Sequence, residues 1–80
     1  MDKYDFYELL LFYGARCRGD SFQGDTPGEL AVRYKVPLAE ATRWCLELSA
    51  SGFYRHAEHR PLVGCLTPSG EKAVRRMTGN

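Results

Sequence analysis

Residues 26–70 constrain this chain more than any other stretch, because they fix two helices, a tight turn, a hairpin and a further helix start in one order. Thr26 is a capping residue, Pro27 suits the first helical position, and Glu29 lies three residues after the cap. The helix they open turns Leu30, Ala31 and Tyr34 inward. Lys35-Val36-Pro37 then makes a turn, with Val36 as its plug. A longer amphipathic helix runs from Pro37 or Leu38 to about Ala50. Its inward set is Ala41, Trp44, Cys45 and Leu48, and Gly52 stops it. Two β-prone runs follow, 53–56 and 62–66, around a charged loop over 57–61. Thr67-Pro68-Ser69-Gly70 opens the last helix. That helix turns Ala73, Val74 and Met77 inward and Lys72, Arg75 and Arg76 outward. The whole reads as a mostly helical α+β chain of one domain, residues 1–80: an N-terminal helix over 3–16, two helices and a turn over 26–51, a hairpin over 53–66 and a helix over 67–77.

The N-terminal helix adds an oddity. Asp2 can cap it, Asp5 and Glu8 suit the positive end of its dipole, and Arg16 and Arg18 suit the other end. Phe6, Leu9, Leu10 and Tyr13 form one apolar stripe, yet Tyr7, Leu11 and Phe12 fall on other faces. A helix apolar nearly all round is buried on more than one side. A chain of 80 residues has little material to surround it, so the expectation is a homodimer with Tyr7, Leu11 and Phe12 in the interface. Residues 17–25 read as a polar, Gly-rich loop in which Phe22 supplies a short strand against the hairpin. Arg18-Gly19-Asp20 in that loop would be an adhesion motif only outside the cell, and the last three residues, 78–80, read as a disordered tail.

Charge and cysteine usage narrow the functional classes. The net charge is +1, unevenly spread: three Lys/Arg face five acids in residues 1–26, and eight face five in residues 27–80. A mild basic bias in the second part suits phosphate contacts but is well short of a strong nucleic-acid footprint. Cys17, Cys45 and Cys65 are odd in number and widely spaced, which reads as no disulfide framework; Cys45 and Cys65, in apolar runs, read as small buried hydrophobes. The acidic start shows no signal-peptide pattern, and no apolar run is long enough to cross a bilayer. The expected compartment is the cytoplasm, with reduced thiols. His56 and His59 match no established zinc spacing, and no CxxC pair is present, so neither metal nor cofactor is expected. No phosphate-cradling loop, nucleophile–base order or paired carboxylate set points to an enzyme.

Glu29-Leu30-Ala31, Val36 in the turn, Leu48 with Gly52 ending the second helix, and Leu66-Thr67-x-x-Gly70 closing the hairpin together resemble a winged helix-turn-helix domain over residues 22–77. The chain departs from the pattern at Lys35, where a turn glycine is usual, and at Pro37, where a serine is usual. The resemblance implies a small DNA-binding transcription regulator whose second helix of the pair enters the major groove while the wing touches the minor groove or backbone. On this chain it would present Ala39, Thr42 and Arg43 to bases, with Arg55, His56, His59 and Arg60 from the wing on phosphates. Leu38 and Leu46 make the same helix face unusually apolar, and Glu40 and Glu47 would repel phosphates. A second reading therefore stays open: a winged-helix protein-interaction module that grips a host protein, or joins a larger complex, through Leu38 and Leu46.

Overall fold

The computed structural model describes residues 1–19 and 21–79. Asp20 and Asn80 lie outside them, so the Arg18-Gly19-Asp20 reading and the very end of the expected tail are not addressed; Thr78 is still helical. Among the described residues the chain forms α1 (Lys3–Tyr13), β1 (Arg16–Arg18), β2 (Ser21–Gln23), α2 (Pro27–Arg33), α3 (Leu38–Ala50), β3 (Tyr54–Ala57), β4 (Arg60–Leu66) and α4 (Pro68–Thr78). The strands make two separate antiparallel pairs, β1 with β2 and β3 with β4. None of the described helices is long and apolar enough to cross a membrane.

Local chemistry sets the helix ends. Asp2 and Asp5 cap α1 reciprocally: each carboxylate accepts from the other's backbone N–H, at 3.0 and 3.3 Å. Thr26 and Thr67 start α2 and α4, their hydroxyls accepting from the N–H groups of Glu29 (3.1 Å) and Gly70 (3.0 Å). Gly52, at φ +79°, lets α3 finish with paired bonds from Gly52 N to Ser49 O and from Phe53 N to Leu48 O. The helix α1 is shorter than expected. Gly14 turns extended, Ala15 N–H bonds to Asp25 O at 2.7 Å, and Arg16 passes into β1. Arg16 still serves the helix end, donating to Leu11 O at 2.6 Å.

The core draws on every helix and on the β3–β4 hairpin. Phe6, Leu10 and Leu11 of α1 meet Leu30 and Ala31 of α2, the four inward residues of α3, Tyr54, Leu66 and Val74. Full burial of a Leu, Val or Phe side chain stabilises by about 1.5–3 kcal/mol each. Trp44 lies inside against Phe6, ring centroids 5.6 Å apart. Gly70 lets α4 rest on the backbone before the hairpin, since a Cβ there would overlap the Phe53 carbonyl oxygen. Met77, expected inward, is 46% exposed.

Three further expectations are corrected. Tyr7 (4% exposed) and Leu11 (1%) are interior residues, so neither is available to a homodimer interface; both lie in the core shared with residues of α2, α3 and α4, while Phe12 is half-exposed. Phe22 pairs with Cys17 of β1 rather than with the wing strands. Cys17 and Cys65 are joined in a disulfide with Cα atoms 5.8 Å apart, so Cys65 is not a free buried thiol. They lie 48 residues apart in the chain, and only the seating of β1 beside β4 brings them together. Cys45 is the free, buried one.

Candidate nucleic-acid interface

The pair α2 and α3 is joined by a turn in which Lys35 takes φ +59°. A left-handed lysine is strained by roughly 1–2 kcal/mol relative to glycine's freedom there. It is held by the turn's own bonds, Val36 N–H to Ala31 O (2.8 Å) and Lys35 N–H to Val32 O (3.3 Å), and by burial of Val36. The Lys35 side chain is exposed, three residues before the start of α3. The sequence shows Lys35 only as a departure from the usual turn glycine, because its positive φ is a property of the folded backbone.

Burial of Ala41, Trp44, Cys45 and Leu48 fixes which side of α3 faces out. The outer stripe carries Leu38, Ala39, Thr42, Arg43 and Leu46, at helical spacing. Leu38 is 51% exposed and Leu46 45%, so neither packs beneath α2 or the hairpin. Thr42 is half-exposed and donates its hydroxyl to Leu38 O at 2.8 Å, which leaves its lone pairs as acceptors. Arg43 is exposed and makes no hydrogen bond or ion pair with the described residues. Glu40 is half-exposed and Glu47 exposed beside this stripe.

The hairpin is tighter than the expected five-residue loop. Glu58 and His59 alone connect β3 to β4, with His59 at φ +62°, and the register slips between His56 and Ala57. Gly64 permits the close pairing, since a Cβ there would overlap the Arg55 carbonyl oxygen. Tyr54, buried, ties the irregular part of β4 by donating to Pro61 O at 2.8 Å. Burial pushes the Tyr54 phenol up from its ordinary pKa. Burial also raises the neighbouring Cys45 thiol to about 12, against a smaller opposite pull from its contact with Tyr54.

The four wing residues separate into two kinds. Arg60 is exposed and without a partner among the described residues, and it lines an open groove of about 620 Å³ shared with Val32, Arg33 and Leu62. His59 is fully out in solvent, 3.4 Å from the Glu58 carboxylate; both side chains are nearly 90% exposed, so the contact is weak. His56 instead leans on its own strand, Nδ1 lying 2.8 Å from Ala57 O and its ring stacked on Tyr54. Arg55 is the larger departure. Its guanidinium donates to Gly19 O at 2.7 Å and lies 5.4 Å from the Phe22 ring centroid, so it braces β1–β2 and is not a free phosphate ligand. Nothing in the local sequence couples Arg55 to a carbonyl 36 residues away.

Two further cations are occupied. Arg33 is paired with Asp25 at 2.7 Å, a bond that raises its pKa. Arg16 is 3.4 Å from Glu71. Among the described residues no group of three or more His, Cys, Asp and Glu side chains is arranged to hold a metal. Comparison of the chain with known proteins finds no matching family model, no similar curated protein and no similar solved structure.

Proposed function

We propose that this chain is a winged helix-turn-helix domain and a small DNA-binding transcription regulator. The observation that carries the reading is the exposed, unpaired Arg43 at the centre of the outer face of α3, on the second helix of a two-helix unit followed by a tight hairpin. In this reading α3 lies in the major groove, Arg43 takes a guanine edge in two hydrogen bonds, and Ala39 and Leu38 touch thymine methyl groups. Lys35 and Arg60 take backbone phosphates from either side of the helix. The test is binding of labelled duplex fragments at low and moderate salt. Arg43→Ala should lose about 1–3 kcal/mol and relax one base position, whereas Arg60→Ala should weaken all sequences alike and flatten the salt dependence by about one unit. Unchanged binding by both variants would falsify the assignment.

The exposure of Leu38 and Leu46, flanked by Glu40 and Glu47, favours a second reading in which the α3 face docks on a host protein. That reading expects no duplex binding at low salt. It also expects Leu38→Glu to abolish partner capture while the domain stays folded.

A further inference from the structure

We propose that Cys17 and Cys65 form a reversible dithiol–disulfide site that exchanges with a low-molecular-weight disulfide of the glutathione type, and that this bond decides whether the β1–β2 hairpin is docked on the wing. The inference goes beyond the DNA-binding reading and does not require it.

The hairpin has little else to hold it. None of the described side chains in β1 or β2 is fully buried; Cys17 and Phe22 are only half-buried. Beyond the disulfide, its links to the body are polar contacts of Arg16 and Arg55, of which the bond from Arg16 to Leu11 O at 2.6 Å, at the start of β1, is part-buried. Arg55 donates to Gly19 O from an exposed position, and Arg16 reaches Glu71 at 3.4 Å with both side chains over a third exposed. Exposed ion pairs of this kind contribute little in water. At its root the hairpin is anchored by Ala15 N–H to Asp25 O. The core that includes Phe6, Leu30, Trp44 and Val74 uses no residue of β1 or β2. Opening the sulfur bond therefore loosens β1 beyond Arg16 together with β2, and leaves that core intact. It also leaves Arg55 without its carbonyl partner, which frees the one wing cation that the closed hairpin ties down.

The exchange is chemically accessible from one side. Cys17 is half-buried and the less covered of the two, while Cys65 is 3% exposed. A glutathione thiolate attacks Sγ of Cys17, the Cys17–Cys65 bond breaks, and Cys65 leaves as a thiolate that takes a proton. A second glutathione thiolate attacks the mixed disulfide at the glutathione sulfur, freeing the Cys17 thiolate, which is protonated in turn. Two glutathione thiols are thereby oxidised to one glutathione disulfide, and the protein disulfide is reduced to two thiols. Closure runs the same steps backwards. Cys45, free and fully buried, stays out of the exchange.

The experiment uses the full chain held in excess glutathione disulfide or in excess reduced glutathione. Non-reducing peptide mapping reads the Cys17–Cys65 link, amide hydrogen exchange reads residues 16–23, and phenylglyoxal labelling compares Arg55 with Arg43. Reduction is expected to speed hairpin exchange at least about tenfold, with α1 and α3 still protected, and to raise Arg55 labelling towards that of Arg43. Cys17→Ser should show the open pattern in both buffers, and Cys45→Ser should keep both states. Hairpin exchange that ignores reduction overturns the proposal. So does failure of the Cys17–Cys65 link to form in glutathione disulfide. Loss of protection in α1 and α3 together with the hairpin also overturns it, because the bond would then be a general structural cross-link.

Discussion

Replacing Trp44 with alanine tests the packing that orients the whole α3 face. Trp44 is 7% exposed and packs on Phe6 of α1, the rings tilted by 47° at 5.6 Å. Removal of a buried large aromatic costs about 3–5 kcal/mol, as lost transfer energy plus the cavity left behind. The lost ring pair alone is worth about 0.5–1.5 kcal/mol of that. A domain of this length has roughly 4–12 kcal/mol of total stability. The substitution therefore removes about a quarter or more of it, and lowers the melting temperature by at least about 12 °C at roughly 4–8 °C per kcal/mol. Far-UV circular dichroism follows the melt without relying on the tryptophan. Because Trp44 is the only tryptophan, the emission of the unmodified protein also reports its environment directly. A Trp44→Ala protein melting within a few degrees of the parent would show that Trp44 is not a core residue. A native emission maximum typical of water-exposed indole would show the same.

Three more outcomes follow from particular contacts. Gly70→Ala should destabilise by about 1–3 kcal/mol in urea titration, because its Cβ meets the Phe53 carbonyl, a rigid backbone atom that also accepts from Thr67 N–H. Alanine's helix propensity, worth about 1 kcal/mol over glycine, is too small to offset that overlap, and a stabilised variant would refute the close approach. Lys35→Gly should stabilise by up to about 1 kcal/mol by relieving φ +59° while weakening any duplex binding; a destabilised variant would mean the turn is built otherwise. Alkaline pH should unfold the chain. The Cys45 thiol rises from about 9, and the Tyr7 phenol from about 10, each to about 12 in the folded state, mainly through burial, and Tyr54 rises too. Raised acids keep protons longer when folded, so their stabilisation is complete below about pH 9 and is lost as pH climbs towards 12. A stability flat from pH 8 to 12 would contradict it.

Features that depend on near neighbours along the chain are legible in the residues alone. Thr26, Thr67 and Asp2 cap helices because their side chains reach backbone N–H groups three residues on. Gly52 ends α3, and the spacing of Ala41, Trp44, Cys45 and Leu48 names its inward face. The same reasoning selected Arg43 as an outward cation, which it is, and read the order of α2, α3, hairpin and α4 correctly. What it could not decide was which surface covers which. Tyr7 and Leu11 looked like a spare apolar face, yet residues far along the chain bury them, because a 3.6-residue period shows that a face is apolar and not what packs on it. Arg55 read as a wing cation until β1–β2 folded back to present the Gly19 carbonyl to it. The pairing of Cys17 with Cys65 has the same origin. Three cysteines in a row of letters carry no distances, and only the tertiary seating of β1 beside β4 brings those two Cα atoms to 5.8 Å while leaving Cys45 alone in the core.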